Sequence, residues 1–291
     1  LLLGCVIGAS FQVEVLAPLR AALLPVLLLI LFIISAGLAL GWALSRFSGL
    51  DLNTALLSVI PGGLPAMVGM SDGVGADTTV VASIHFARLT SILLLAPAAM
   101  PWLVGAAQDA APIAAAGEPA GAAGTLLVLT CGMLGGLAGV RLGLPSGDLV
   151  GSLLVVGALR TLGAGGPLAG GFFWVAMLLV GVAVGAEVSL ESLRRLRRVA
   201  LPAAVSIAAL LAVGLCLGWV LWRTAPLDLP TALLSCVPGG AATMPVIAHA
   251  LGGDMRLVAA FHLIRQLVLV IVLAPILSRT LPRERHIPQG L

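Results

Sequence analysis

The sequence predicts an all-α polytopic membrane protein. Two inverted repeats of about five transmembrane helices each are expected, each with a PGG-broken re-entrant helix, and with the N-terminal part of the first repeat missing. Three observations predict this. Apolar residues make up 60% of the chain and charged residues 9%, with a mean hydropathy of +1.17, against about 45–50% and about 25% in soluble domains. Residues 1–90 recur without a gap as residues 178–267, at a constant offset of 177 and with 17 identities over the 40 positions from 51 to 90. Helix ends made equivalent by that offset carry opposite charge signatures.

Taken in order, apolar stretches of near-spanning length lie at about residues 22–45, 78–104, 125–142, 148–162, 172–188, 200–222 and 255–278, and about 20 residues suffice to cross hydrocarbon as a helix. Leu1 to Phe11 aligns with the middle of the 172–188 stretch, so the chain is expected to open inside a repeat. Residues 125–170 have no counterpart in the first copy, and counting back one repeat unit leaves roughly 45 to 50 residues missing. The expected organisation is repeat 1 over 1–105, a non-cytoplasmic linker over 106–124, repeat 2 over 125–280 and a cytoplasmic tail over 281–291.

Arginine placement carries the orientation. After the 78–104 stretch, Pro101 to Gly124 holds Asp109 and Glu118 and no basic residue, whereas after its mate at 255–278 come Arg279, Arg283, Arg285 and His286. Because cytoplasmic segments retain positive charge, the two ends belong on opposite faces of the membrane. With each PGG segment entering and leaving on one side, five crossings per repeat place Arg46, Arg141, Arg194, Arg195, Arg197, Arg198, Arg279, Arg283 and Arg285 inside. Only Arg20, Arg160, Arg223 and Arg256 fall outside. Six crossings would remove that asymmetry. The four cysteines, Cys5, Cys131, Cys216 and Cys236, stand in apolar segments with no CxxC pattern and read as small core residues. A net charge of +3, scattered along the chain, gives no reason to expect nucleic acid as a partner.

Polar chemistry concentrates in two places. Thr54 to Ile60 runs into Pro61, Gly62 and Gly63, and Thr231 to Val237 runs into Pro238, Gly239 and Gly240, with Met67 and Met244 four residues beyond. Proline removes a backbone donor and the glycine pair abandons the helix, freeing polar groups that hydrocarbon does not satisfy. Such groups and the half-helix termini they create are able to bind an ion or an anionic group. The bland alternative is a surface loop or a helical kink. Next come Asp77, His85 and Arg88, repeated as Asp254, His262 and Arg265. On a helix the first and last of each set fall about 20° apart, with the histidine about 80° from the aspartate. Helix N-capping is the simplest reading of Asp77 and Asp254. Arg88 and Arg265 lie two to three turns into apolar helices, where a charge costs at least about 2.5–3.5 kcal/mol. They therefore line a wet site, snorkel, or satisfy broken-helix carbonyls. For His85 and His262 the readings are a structural hydrogen bond or a proton relay.

Other residues carry weaker signals. Asp72 and His249 occupy equivalent positions beyond the breaks. Asp148, after Pro145-Ser146-Gly147, reads as an N-cap or interfacial residue, and Glu187 as an ion-pair partner of the Arg194–Arg198 cluster, itself a topogenic loop able to touch anionic lipid.

The TALLS-x-x-PGG run at 54–63 and 231–240, each followed by a glycine–aspartate turn and a helix with histidine and arginine three apart, resembles the AbrB-duplication membrane proteins over nearly the whole chain. Members of that family carry the labels ammonia monooxygenase and regulator of gene expression, and share a name with an unrelated soluble DNA-binding regulator. The resemblance extends to broken-helix antiporters and anion transporters, and so implies transport. Pro65 against Ala242, and the missing N-terminal segment, are departures that bear on the first half-site.

The enzyme label fits the residues poorly. Oxygen chemistry needs a redox metal or flavin, and only His85 and His262 are intramembrane histidines, with no HxxxH, Glu-x-x-His or flavin fingerprint. No cofactor or metal is expected. The expected partners are the lipid bilayer and a small-molecule or ion substrate, with homo-oligomerisation left open. The expectation is a bacterial inner-membrane, multi-pass secondary transporter of a small polar or charged solute, with proton coupling as one mode. The alternative is a membrane-embedded regulatory protein without flux.

Overall fold

Despite 36 glycines and 18 prolines, the apolar sequence folds into helices among the described residues. The computed structural model describes residues 1–11, 16–104, 119–144, 146–186, 199–273 and 276, and holds no strand among them. The helices are α1 (Leu2–Ala9), α2 (Leu16–Ser48), α3 (Leu52–Val59), α4 (Leu64–Val74), α5 (Thr78–Val104), α6 (Ala122–Arg141), α7 (Gly147–Thr161) and α8 (Gly170–Ala186). After residue 198 follow α9 (Ala200–Thr224), α10 (Leu229–Cys236), α11 (Thr243–Ala250) and α12 (Met255–Val268), which runs on into a π-helical turn at Leu269–Leu273.

Among the described residues, five segments are long and apolar enough to cross a membrane: Leu19–Ser48, Thr78–Ala96, Ala122–Arg141, Ala200–Thr224 and Met255–Leu273, with a shorter apolar helix at Gly170–Ala183. Their outer faces expose Leu24, Leu28, Phe32, Leu94, Leu134, Leu178 and Leu201. A continuous apolar exterior of this kind suits lipid and not water. The 148–162 stretch forms the 15-residue α7, about 22 Å long at 1.5 Å per residue and so shorter than the roughly 30 Å hydrocarbon layer. Asp109, Glu118, Pro145, Glu187, the Arg194–Arg198 cluster, Arg279, Arg283, Arg285, His286 and the 281–291 tail lie outside the described residues, as does the side chain of Asp72.

Glycines set how closely the helices approach. On α6 and α7, Gly135 and Gly139 lie against Gly147 and Gly151 so tightly that a Cβ added at Gly139 or Gly151 would overlap the facing carbonyl oxygen. Such small-xxx-small faces let backbones touch where lipid supplies no hydrophobic push between helices. The same device recurs at the offset. A Cβ on Gly41 of α2 would meet the Leu56 Cα at 2.8 Å, and one on Gly218 of α9 would meet the Leu233 Cα at 2.6 Å. Each short helix α3 and α10 is thereby pressed against a long one.

The core does not divide at the repeat boundary. One buried cluster joins α2, α3, α4 and α5 to α9, α10 and α12, and a second joins α1, α6, α7 and α8 to Val246, Met255, Ala259 and Leu263 of α11 and α12. The two halves of the sequence are packed through each other, and the surfaces where they meet hold the polar residues.

Candidate functional site

Each break is assembled from the same parts. Asp51 caps α3 by accepting from the Thr54 amide at 2.8 Å, and Asp228 caps α10 by accepting from the Thr231 amide at 2.9 Å. The hydroxyls of Thr54 and Thr231 then accept, each at 2.7 Å, from the backbone amides of Asp77 and Asp254. This stitches the start of each broken helix to the start of the helix that follows. Thr231→Val keeps the shape and leaves the partly buried Asp254 amide without its acceptor, so a loss of about 1 kcal/mol is expected in a detergent melting assay.

The chain then leaves the helix. The amide of Gly62 turns back to the Ile60 carbonyl at 2.7 Å, and that of Gly239 to the Val237 carbonyl at 2.8 Å. Met67 folds over Gly62, where a Cβ would meet its Cε at 2.5 Å, and Met244 folds over Gly239. Both methionines are packing lids on the break. Pro61 and Pro238 lie against Gly37 and Gly214, 3.1 and 3.0 Å from where a Cβ on either glycine would stand. Beyond the breaks, α4 is capped by Gly75, with φ of 71°, and Gly252, with φ of 77°, follows the Leu251 cap of α11, a left-handed conformation that glycine adopts without steric cost. Asp77 accepts from the amides of Thr79 and Val80, and Asp254 from those of Arg256 and Leu257. Both are helix N-caps, and Asp254 also pairs with Arg256 at 2.7 Å.

Arg88 and Arg265 reach the opened helix ends. Arg88 donates to the carbonyls of Val59 at 3.2 Å, Ile60 at 3.4 Å and Gly62 at 3.3 Å; Arg265 donates to Val237 at 3.2 Å and Gly239 at 3.0 Å. They are 2% and 5% exposed. The last carbonyls of a helix carry about half a negative charge, so each guanidinium is partly compensated by the break itself. Among the described residues no carboxylate pairs with either, and the two positive charges are close enough to repel one another.

The histidines differ between the halves. His85 donates from Nε2 to the Leu57 carbonyl at 2.8 Å and accepts at Nδ1 from Arg88 at 2.7 Å. Both ring nitrogens are occupied, and the two partners fix the neutral tautomer, because a carbonyl only accepts and a guanidinium only donates. His262 donates from Nδ1 to the Val258 carbonyl of its own helix at 3.0 Å, and its buried Nε2 has no hydrogen-bond partner among the described residues.

A cavity of about 380 Å³ lies where the halves meet. Its wall includes Gly63 and Leu64, which start α4, and Gly240 to Thr243, which lead into α11, together with Ser146, Asp148 and Gln266. Contacts cross between the halves. Gln266 of α12 packs on Gly63, whereas its offset mate, Leu89 of α5, packs on Gly240, with Cδ2 3.5 Å from where a Cβ would stand. Of the residues singled out in the sequence, the cavity touches Gly63 and Gly240 and the weaker candidate Asp148. Pro61, Gly62, Met67, Asp77, His85, Arg88 and their mates stand behind it as framework. Of the two readings of Asp148, N-cap or interfacial residue, the first does not hold: Ser146 is the N-cap of α7, and Asp148 sits inside the first turn. His249 stacks edge-on with Phe173 at 5.0 Å. Sequence reasoning passed over Gln266, whose signal was a polar residue in an apolar helix at a position where the other copy has leucine. Among the described residues, no three or more His, Cys, Asp or Glu converge as a metal set.

Comparison with known proteins follows the same residues. The family described as "Transition state regulatory protein AbrB" matches residues 1–281. "Putative regulator AbrB" of Escherichia coli (strain K12) is 30% identical over 283 residues, 96% of this chain and 80% of that protein. "Uncharacterized protein YhjN" of Bacillus subtilis (strain 168) is 26% identical over 292 residues, 94% of this chain and 76% of that protein. No solved structure matches the chain.

Proposed function

The chain belongs to the AbrB family, and from that premise we propose that it is a multi-pass inner-membrane secondary transporter of a small polar or charged solute. The observation that carries this reading is the shared cavity: two helix breaks, one from each half, open onto one space of metabolite size. In this reading the halves are inverted repeats, α3–α4 and α10–α11 are re-entrant elements, and alternating access arises as the halves exchange roles around the cavity. Arg88 and Arg265 lock the broken ends in place. The free Nε2 makes His262 the histidine suited to a proton-coupled step, while His85 serves as a fixed strut.

Regulation without flux is the second reading, favoured by the word "regulator" in the name of the E. coli relative. Transport that alters a sensed metabolite accommodates both. The test is flux into proteoliposomes of the full protein, screening ammonium, organic anions and neutral metabolites with and without a proton gradient. Ala183→Trp serves as control, because it fills the cavity from an exposed position on α8. Uptake present in the parent and lost in the plugged protein, at equal size-exclusion profile, is the expected result. Folded protein with no flux for any solute overturns the transport reading in favour of regulation.

A further inference from the structure

The two histidines are offered matching partners and take different ones. Leu57, Val81 and Arg88 of the first half have Leu234, Val258 and Arg265 as their mates in the second. His85 ties the first broken helix to the arginine of its own helix, with Nε2 on the Leu57 carbonyl at 2.8 Å and Nδ1 on Arg88 at 2.7 Å. His262 makes neither of the corresponding bonds. Its Nδ1 turns one turn back along α12 to the Val258 carbonyl at 3.0 Å, and Arg265 reaches two break carbonyls and no histidine.

These partners decide where each ring carries its hydrogen. A carbonyl only accepts and a guanidinium only donates, so His85 is protonated on Nε2 and His262 on Nδ1. The His85 ring refuses a second proton, because its Nδ1 faces a donor. The His262 ring keeps a bare Nε2, buried and without a hydrogen-bond partner among the described residues. The Val237 carbonyl also lies beside this ring, but it accepts from Arg265 and makes no hydrogen bond with Nε2. A buried polar atom left bare costs free energy unless another state completes it, and the mates of His85's own partners supply that state. Arg265 further borders a pocket of about 20 Å³ with Ser235 and Cys236, more than the roughly 10–15 Å³ that one water needs. The charged and titratable groups that bear on the ring are Arg265 of its own helix and, beyond it, Arg88 of α5 and Cys236 of α10. No carboxylate pairs with them among the described residues.

Resting on the transport reading above, we infer that the two breaks hold one proton-passing latch in its two states, closed at His85 and open at His262, and that the halves exchange these states during the cycle. His85, a strut in the present state, opens by turning to Val81; His262 closes onto Leu234 and Arg265.

The chemistry of closing requires a proton at each end of the ring. A proton from water bonds to the Nε2 lone pair of His262, the Nδ1–H bond breaks with its electron pair kept by nitrogen, and that proton leaves to water. The ring is neutral before and after, so two nearby arginines tolerate it, and Nδ1 is then free to accept from Arg265. Without both transfers the ring presents the wrong nitrogen to each partner. Opening His85 runs the same steps in reverse, which ties the exchange of the halves to proton access.

The first test needs no solute. Full-length protein labelled with ¹⁵N in histidine, arginine and valine is placed in lipid bilayers, and solid-state NMR separates protonated from bare ring nitrogens, with His85 identified by its contact to arginine and His262 by its contact to valine. Hydrogen on Nε2 of His85 and on Nδ1 of His262 is the expected result; the same tautomer at both overturns the inference. Arg88→Gln removes the guanidinium that holds the first latch closed. In that variant His262 is expected to move its hydrogen to Nε2, a change at a ring the substitution does not touch. A structural asymmetry would leave His262 on Nδ1, and that outcome also overturns the inference. Should Arg88→Gln lose the parent size-exclusion profile, His85→Phe opens the same latch and is read in the same way at His262. Solute flux in proteoliposomes alongside matching tautomers leaves transport standing and the latch fallen. Opposite tautomers that swap in the variant, in a protein that moves no solute, leave the latch standing and return the failure to the transport reading.

Discussion

Arg88→Ala is expected to lower the stability of the detergent-solubilised protein by about 3 kcal/mol, more than any other single truncation at the first break. The change strips donors from the Val59, Ile60 and Gly62 carbonyls and from His85 Nδ1. Each buried acceptor left unpaired costs about 1–3 kcal/mol, and removing a buried charge returns about 2.5–3.5 kcal/mol of that total. Arg265→Ala, with two carbonyls in place of three and no histidine acceptor, is expected to lose less. Arg88→Lys retains the charge but concentrates its donors on one nitrogen, which does not span carbonyls on both sides of Pro61. Its midpoint should fall between parent and alanine. A melting series by intrinsic fluorescence reads all three, and an Arg88→Ala protein that melts like the parent would remove the guanidinium from its role at the break.

The second large effect is expected away from the cavity. Gly139→Ala puts a methyl group into the backbone of Gly147, and Gly151→Ala puts one into the backbone of Gly135. A flexible side chain would give way, but a carbonyl in a helix does not, so α6 and α7 must separate. Overpacking of this kind costs about 1–3 kcal/mol and more where backbone is struck; about 3 kcal/mol is expected here. Gly73→Ala on α4, where nothing lies within 4 Å, supplies the control, since exchanging a helical glycine for alanine in open space stabilises by roughly 0.5–1 kcal/mol. Opposite signs for the two alanines in one melting assay establish that α6 and α7 meet backbone to backbone.

Which parts of this arrangement sequence makes legible follows from what a repeat preserves. The PGG breaks and the His–Arg spacing stand out because both copies keep them, and the arginines of both copies make matching hydrogen bonds to the break carbonyls, while the histidines are bonded differently. The long apolar helices are legible from composition alone. Gln266 is not, because it lies where the copies differ, and a comparison of the copies rewards sameness. Gly4 and Gly181 show the same limit in reverse. They are offset mates, yet a Cβ on Gly4 would overlap Ser152 of α7, while Gly181 has open space around it. A shared letter carries no information about which helix packs beside it. Nor does periodicity reveal that α5 of one half and α12 of the other each reach across to the opposite break, since the crossing contacts join residues far apart in the chain. Thr54 and Thr231 sit in an apolar motif and look like neutral filler until their hydroxyls are seen holding the caps of the following helices.

Pro65 has a consequence beyond its place in the first helix start. With its ring fixing φ near −65°, α4 begins at Leu64, whereas at the offset-matched point Ala241 and Ala242 form a turn and α11 begins only at Thr243. Proline narrows the range of conformations the chain explores when it is released from its packing, an effect of roughly 0.4–1 kcal/mol where the native geometry already suits it. Ala242 has no such restraint. The second segment has its own proline, Pro245, opposite Val68 of the first, so the two otherwise matched hinges are restrained at different points, at the second residue of α4 and at the third residue of α11.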